Sequence, residues 1–274
     1  MSNIRIIPVT TRKGLRAFVN FYYELYKGNK FAVPFLRFDE MNTLSKRKNP
    51  AFEFCEAQYF LAVDGEARIV GRVAAIINRR ANEQWNKKQV RFGWFDFVDD
   101  LEVSQALLNA VEAWGRTKGM TECVGPLGFT DMDREGLLIE GFHHKSTMYI
   151  NYNYPYYKNH MEAMSFYEKD NDWLEYRIKV PEETPAKFAR TAEMIEKRYN
   201  LHVHKFTSRE LVKGGMGREV FHIVNETYKD LYDFQQLTDS QIDKYVNDYI
   251  KKADLNLVTG VVDGNDGNRL IGFG

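Results

Sequence analysis

Apolar positions change their spacing along the chain, and these changes mark out strands and helices. Residues 4–9 form a β-branched run, which predicts a first strand. Thr11 can cap a helix whose apolar residues keep helical spacing until Gly28. These residues are Leu15, Phe18, Val19, Tyr22 and Tyr26. A short helix over residues 38–45 follows and ends before Pro50, because the residue preceding a proline disfavours helical dihedrals.

The next block predicts a hairpin, a further strand and the clearest helix of the chain. Two strand-like runs, residues 57–63 and 68–78, flank the turn pair Asp64-Gly65. Another strand is predicted over residues 90–98. A long apolar stripe then recurs every three or four residues until Gly119 ends the helix. The stripe consists of Val103, Ala106, Leu107, Ala110, Val111 and Trp114.

Short strands and one helix are predicted from here to residue 180. The strands cover residues 121–125, 146–152 and 172–180, and the helix starts near Pro155. Beyond residue 180, Thr184 and Pro185 can begin a new helix. Its apolar stripe is Phe188, Ala192, Ile195 and Tyr199. A strand over residues 201–206, helices over 218–231 and 239–251, and a final hairpin complete the series.

The final hairpin repeats an earlier one. "VDGEARIVGRVA" at residues 63–74 is similar to "VDGNDGNRLIGFG" at residues 262–274. "ELYK" at residues 24–27 and "ETYK" at residues 226–229 match on a predicted helix, at a similar offset of roughly 200 residues. Several elements repeated in order indicate a structural duplication. We therefore expect a domain over residues 1–180 and the N-terminal part of a second domain, truncated, over residues 181–274.

Composition narrows the class of protein. Hydrophobic residues make up 44% and charged residues 28% of the 274-residue chain, which is typical of a packed globular protein. Basic and acidic residues both number 38, so the charge balance gives no reason to expect a nucleic-acid or membrane partner. No secretory signal and no long apolar run is present, and two cysteines form no disulfide framework. These features favour the cytoplasm.

This order of elements, over about residues 3–180, resembles the GCN5-related N-acetyltransferase (GNAT) fold. "GPLGFTDMDREGLLIEGF" and "YINYNYPYY" are, more narrowly, similar to bacterial proteins with tandem GNAT-like domains. The resemblance implies an α/β (α+β) fold with a mixed, mostly antiparallel twisted sheet flanked by helices. It also implies that a partial second GNAT-like unit follows.

The resemblance also implies an acyl-CoA site, from which this sequence departs. In the family, acetyl-CoA or another acyl-CoA lies beside the fourth strand, which puts the backbone of Phe97 and Val98 at the cofactor. A glycine-rich loop then holds the pyrophosphate at a helix N-terminus. The corresponding stretch here, "FVDDLEVSQA", has no glycine and carries Asp99, Asp100 and Glu102. Acids are common in a first helical turn, yet like charges disfavour a phosphate, so we expect a degenerate phosphate loop.

Two groups of side chains are candidates for the chemistry. GNAT enzymes often use a tyrosine as a general acid, which makes Tyr156 and Tyr157 the catalytic candidates; packing is the alternative role. Asp131, Asp133 and Glu135 lie in a loop after the fifth predicted strand, where such loops line the substrate cleft. An ordinary polar loop is equally compatible with this segment.

Metal and anion sites find less support. His202 and His204 share one face of a predicted strand, but no third ligand is indicated, so no metal is expected. His143-His144 falls in a predicted loop. The glycines of "KGGMGRE", residues 213–219, could hold an anion, although a flexible connector explains them as well.

Three functions fit these observations. The first is an acyl-CoA-dependent N-acyltransferase in which domain one shapes the site for a small-molecule amine or peptide and domain two holds the CoA. The second is a non-catalytic binding or scaffold protein on a GNAT-like fold, since fold does not fix function. The third, transfer of an aminoacyl group from charged tRNA, is disfavoured by the neutral charge balance.

Overall fold

The computed structural model describes residues 4–147, 149–231 and 233–274. The chain divides into two compact units, Met1–Trp173 and Leu174–Gly274. No helix in the described parts of the chain is both long and apolar enough to span a bilayer.

Unit 1 is built on a five-stranded sheet whose strands are adjacent in chain order. These strands are β1 (Arg5–Pro8), β2 (Cys55–Val63), β3 (Ile69–Asn78), β4 (Gln89–Phe97) and β5 (Glu122–Val124). The first four strands pair antiparallel, and β5 runs parallel to β4. The predicted α/β class and the mostly antiparallel sheet are confirmed.

Five α-helices accompany this sheet: α1 (Arg12–Leu25), α2 (Arg37–Thr43), α3 (Arg79–Gln84), α4 (Leu101–Thr117) and α5 (Tyr156–Ala163). The sequence pattern located all of them except α3. That helix has no apolar stripe, and it begins because the side chain of its N-cap residue, Asn78, accepts a hydrogen bond from the Ala81 N–H. A 3₁₀ turn over Pro50–Glu53 precedes β2.

Both faces of the sheet are covered, and each side has its own core. One core joins alternate residues of β2 to β4 to the stripe of α4 and to Tyr157 of α5. The other joins the opposite residues of β2 and β3 to Phe18 of α1 and Leu44 beside α2. This alternation follows from the two-residue period of a strand. Strand β4 contributes Phe92 and Phe97 to the first core, and its Trp94 packs against the second.

Unit 2 contains a three-stranded antiparallel sheet in the order β6 (Leu201–Lys205), β7 (Thr259–Asp263) and β8 (Arg269–Phe273). Its helices are α6 (Ala186–Tyr199), α7 (Ser208–Val212), α8 (Met216–Tyr228) and α9 (Asp239–Asp248). The sequence pattern did not predict α7, which is short and begins with a capping box between Thr207 and Glu210. Two 3₁₀ turns, Ile250–Lys252 and Leu255–Leu257, lead into β7.

The two hairpins share their pairing register. Ala62 lies opposite Gly71 in unit 1, and Val261 lies opposite Gly272 in unit 2. A register shift falls one position later in each hairpin, at Ala62/Val63 and at Val261/Val262. A matching irregularity supports the duplication more strongly than a turn sequence does. That unit 2 belongs to a second GNAT-like domain stays a prediction.

Two predicted strands are wrong. Residues 172–180 lie in a segment without regular structure, although Leu174, Tyr176, Ile178 and Val180 alternate as in a strand. The alternation is real, but in the described residues no neighbouring strand pairs with this segment. Residues 146, 147 and 149–152 likewise form no strand, and residue 148 lies outside the described residues.

A side-chain amide takes the place of a strand ladder in this second region. Asn153 accepts a hydrogen bond from the Leu138 N–H at 2.7 Å and donates one to the Leu138 carbonyl at 3.0 Å. Asn151 donates to the carbonyl of Gly136 at 3.0 Å. Local amide bonds of this kind compete with regular pairing. They fix the chain that leads into α5.

Candidate functional site

A bulge interrupts β4 close to the C-terminal end of this strand. Its register against β3 shifts between Arg72 and Ala74, and Trp94 on β4 has a positive φ of 45°. Bulges often re-aim side chains next to functional sites. The chain beyond β5 still touches β4 just before the bulge, where the Leu127 N–H donates to the Phe92 carbonyl at 2.8 Å. The chain from β5 onward is therefore hydrogen-bonded to β4 as far as Phe92, and the bulge at Trp94 follows directly.

Helix α5 closes the end of β4. Tyr157 accepts a hydrogen bond from the Phe97 N–H at 3.2 Å, and Tyr156 donates to the Phe97 carbonyl at 2.5 Å. The Val98 N–H, in turn, donates to the Val70 carbonyl at 3.0 Å. Tyr156 and Tyr157, predicted for catalysis, are thus hydrogen-bonded to the backbone of Phe97, which was predicted to contact the cofactor. Their catalytic and cofactor roles stay predictions.

The N-terminus of α4 is closed by the same helix. Asp100 caps α4 by accepting from the Glu102 N–H at 2.9 Å. His160 lies 3.0 Å from Asp99 through Nε2 and 3.0 Å from Ser104 through Nδ1. Sequence reasoning missed His160, although it follows Tyr156 by one helical turn and so shares its face. We call Tyr156, Tyr157 and His160 together the α5 seal.

A buried chain of hydrogen bonds runs inward from this seal. The Phe97 N–H donates to Tyr157, whose hydroxyl lies 3.1 Å from that of Tyr26. Tyr26 donates to Asp96 at 3.4 Å, and Asp96 pairs with Arg72 at 2.7 Å. Burial raises the pKa of both Tyr26 and Tyr157 well above the ordinary value, so both phenols keep their protons. Tyr157 can then donate to the Tyr26 hydroxyl, while Tyr26 donates to Asp96.

A second ion pair lies on the α2 side of the bulge. Glu40, which is buried, accepts from the indole N–H of Trp94 at 2.7 Å and from Arg134 at 3.0 Å. The Arg134 guanidinium lies over the ring of Phe35. Glu40 therefore ties the bulge to the loop that follows β5. Sequence reasoning missed both charges, because no local pattern connects residues so far apart in the chain.

Tyr22 lies near both ion pairs. Its ring stacks on Phe35 with centroids 4.6 Å apart, and the Arg72 guanidinium is 5.5 Å from its centre. Burial raises the pKa of Tyr22, and the negative charge of Asp96 raises it further. Its hydroxyl is buried and has no hydrogen-bond partner within residues 4–147, 149–231 and 233–274. We call Tyr22, Phe35 and the two ion pairs the inner polar cluster.

The predicted acidic loop divides into residues with different surroundings. Asp133 turns inward and accepts from the backbone N–H groups of Phe129, at 2.8 Å, and Thr130, at 3.4 Å. Burial raises its pKa to about 6, although these two hydrogen bonds lower it. Asp131 and Glu135 are partly buried. Asp133 braces its own loop, and a substrate role for all three acids stays a prediction.

The histidine candidates do not assemble a metal site. No cluster of three or more His, Cys, Asp or Glu side chains occurs within the described residues. His204 Nε2 lies 3.4 Å from a carboxylate oxygen of Glu210, and the ring centroids of His143 and His144 are 4.1 Å apart. These neighbours account for the positions of three of the histidines.

Two relatives in sequence come from bacteria. Protein YghO of Escherichia coli K12 is 32% identical over 157 residues, which is 57% of this chain and 40% of that protein. A bacterial ceramide synthase from Caulobacter vibrioides is 25% identical over 262 residues, or 94% of this chain and 66% of that protein. The chain therefore spans 40% and 66% of the lengths of these relatives. No family model matches the chain.

Solved structures with similar folds include GNAT acetyltransferases. A GNAT-family acetyltransferase from Staphylococcus aureus Mu50 has a TM-score of 0.30 and 14% identity, covering 42% of this chain and 69% of its own. The glucosamine N-acetyltransferase region of a fungal β-N-acetylglucosaminidase has a TM-score of 0.44 and 11% identity, covering 99% of this chain and 27% of its own. Scores this low identify no activity. The strand order and pairing of unit 1 agree with the mixed, mostly antiparallel sheet that the GNAT resemblance implies.

Proposed function

We propose that this chain forms the acceptor side of an N-acyltransferase, which transfers an acyl group from acyl-CoA to a small-molecule amine. The observation that carries the proposal is the α5 seal. It occupies the backbone N–H and carbonyl of Phe97 and contacts the Asp99 side chain just before α4, where the resemblance placed the cofactor. The inner polar cluster offers buried polar groups on the α1 side of the sheet instead. Unit 1 would then shape the acceptor site.

Electrostatics support a donor site outside this strand edge. A pyrophosphate favours a helix N-terminus that offers free N–H groups and no nearby acid. At the start of α4 the Asp100 side chain already accepts from the Glu102 N–H. Asp99 and Glu102 add negative charge to the same turn. Acyl-CoA remains the proposed donor, bound outside the α5 seal of unit 1.

The acceptor class follows from one relative and from the lining of the cluster. A ceramide is the amide of a fatty acid with a long-chain amino alcohol, so a ceramide synthase makes an N-acyl bond to such an amine. The relative with that name matches 94% of this chain. Aromatic rings of Tyr22, Tyr26 and Phe35 line the inner polar cluster and suit an amphipathic ligand. A long-chain amine is therefore the proposed acceptor.

The proposed reaction is direct aminolysis of the thioester. The neutral amine nitrogen bonds to the acyl carbonyl carbon, the carbon–sulfur bond breaks, and the amine loses one proton while the thiolate gains one. Burial raises the pKa of Tyr156, so the hydroxyl carries a proton at neutral pH; it would give this proton to the departing thiolate and regain one from the attacking amine. Tyr156 now donates to Phe97, so it would have to leave that carbonyl before acting as the acid.

Binding and product formation test this proposal separately. We expect calorimetric titration of the 274-residue chain to show binding of sphinganine that does not require acetyl-CoA. Tight acetyl-CoA binding without amine binding would contradict the acceptor assignment.

A mass-spectrometric assay with palmitoyl-CoA and sphinganine then distinguishes a transferase from a scaffold. Amide that is lost in the Tyr156→Phe/Tyr157→Phe double variant, while amine binding is retained, supports transfer. Amine binding without any amide product favours the non-catalytic binding module.

A further inference from the structure

The Tyr22 hydroxyl lacks a hydrogen-bond partner among the residues that the structure describes. Tyr22 is only 3% exposed, and its oxygen is buried. Nearly all buried polar groups in folded proteins are paired, since leaving one unpaired costs free energy. The two tyrosines that follow Tyr22 in sequence, Tyr23 in α1 and Tyr26 just after this helix, do have partners. Tyr23 donates to the Phe35 carbonyl at 2.7 Å, and Tyr26 donates to Asp96. Because its neighbours are hydrogen-bonded and the Tyr22 phenol is not, a bound group that accepts a hydrogen bond from Tyr22 would satisfy it.

The surroundings define the chemistry of that group. Both carboxylates of the inner polar cluster already pair with an arginine, Asp96 with Arg72 and Glu40 with Arg134. The cluster therefore has no excess charge that would favour an ionic ligand. Tyr22 keeps its proton at neutral pH, because burial raises its pKa. A neutral group that can accept from a phenol, such as an aliphatic hydroxyl, fits these conditions.

The ring of Phe35 covers one face of the Tyr22 ring. This ring stacks on Tyr22 on one side and lies beneath the Arg134 guanidinium. Phe35 is only partly buried and belongs to residues 32–36, which form neither helix nor strand. Loop segments of this kind move more readily than helices or strands. A ligand can therefore displace one ring without breaking the sheet.

We infer that the Tyr22 hydroxyl anchors a hydroxyl group of the acceptor, which makes the acceptor a long-chain amino alcohol rather than a simple alkylamine. The inference rests on the proposed function, because it names the substrate class of that site. The phenol donates to the ligand hydroxyl, and the apolar part of the ligand takes the place of the Phe35 ring against Tyr22. An ordered water at Tyr22 is the competing explanation, and it makes different predictions.

Tyr22→Phe tests the inference, with Tyr23→Phe as the matched control. Both variants remove one hydroxyl from the same helix. Removing a hydroxyl that makes no bond should leave the melting temperature unchanged or raise it. Calorimetric titration should show sphinganine binding at least about tenfold weaker to Tyr22→Phe, and octadecylamine binding unchanged, since a lost hydrogen bond to the ligand is the only difference. Tyr23→Phe should lower the melting temperature and, because it loosens the Phe35 segment, change both affinities by the same factor.

Every other outcome overturns the inference. Equal sphinganine affinity in Tyr22→Phe and in the unaltered chain would assign the hydroxyl to a water. A clear loss of stability in Tyr22→Phe would show that the hydroxyl is bonded within the protein. Failure of the unaltered chain to bind sphinganine would exclude an amino-alcohol site. Amide formation is measured separately, so Tyr22-dependent binding without amide would refute the transferase and leave this inference standing.

Discussion

Asp96→Asn should destabilise unit 1 strongly, because it leaves the Arg72 guanidinium buried without a counter-ion. Arg72 is 1% exposed and Asp96 is 6% exposed, and their closest nitrogen–oxygen distance is 2.7 Å. At an effective dielectric constant of about 20, two unit charges at this distance attract by about 6 kcal/mol. Desolvation offsets much of this attraction, and breaking one partner of a buried pair costs about 3–5 kcal/mol. We expect a loss in that range.

The assay is urea unfolding followed by tryptophan fluorescence. All four tryptophans, Trp85, Trp94, Trp114 and Trp173, lie in unit 1, so the signal reports this unit. Glu162→Gln is the matched control, since Glu162 pairs with Lys158 at 3.8 Å and both side chains are exposed. This control should change stability by less than about 0.5 kcal/mol.

A double-mutant cycle with Arg72→Met isolates the pair. Removing the guanidinium also leaves the Phe18 carbonyl without its 3.0 Å hydrogen bond, so the single variant is destabilised as well. The double variant should lose at least about 2 kcal/mol less than the two single losses combined. Additive losses, or an Asp96→Asn loss as small as that of Glu162→Gln, would refute the reasoning.

Two further predictions concern the walls of the site. Gly93→Ala should destabilise unit 1, since an added Cβ would lie 2.4 Å from the Leu127 carbonyl oxygen. Gly14→Ala in α1 of the same unit should cost much less, because the nearest atoms to its Cβ would be side-chain atoms at 3.3 Å; equal urea midpoints for the two variants would contradict this. Burial raises the pKa of Asp133 from 3.8 to about 6, so its protonated form favours folding. This contribution is fully present below about pH 3.8 and is lost as the pH rises through about 6, by at most about 3 kcal/mol. Asp133→Asn should flatten that part of the stability–pH profile, and an unchanged slope in urea titrations would show that another group titrates there.

The fold was predictable where a periodic apolar stripe determines an element. The stripe of α4 and the alternation in β2 and β3 specify both type and location, because burial of one face favours a single secondary structure. The pattern failed for α3, which depends on a cap at Asn78. It also failed for residues 172–180, where alternation occurs without a neighbouring strand.

The site was predictable only in parts. Tyr156, Tyr157 and Phe97 were each selected from local sequence, but their mutual hydrogen bonds depend on where α5 packs. Glu40 and Arg134 gave no signal, since an ion pair across a fold has no sequence period. The unpartnered state of the Tyr22 hydroxyl also depends on its neighbours in space, so the sequence predicted only a helix stripe at that position.

Amide chemical shifts of the ¹⁵N-labelled chain test the central claim, that unit 1 receives the amine and not the CoA. Acetyl-CoA should leave the Phe97 amide and the first turn of α4 unchanged, because Tyr157 of the α5 seal occupies the Phe97 N–H and Asp100 occupies the Glu102 N–H. Sphinganine should shift the amides around Tyr22 and Phe35. Shifts at Phe97 and Glu102 on addition of acetyl-CoA, with none at Tyr22 on addition of sphinganine, would contradict the account.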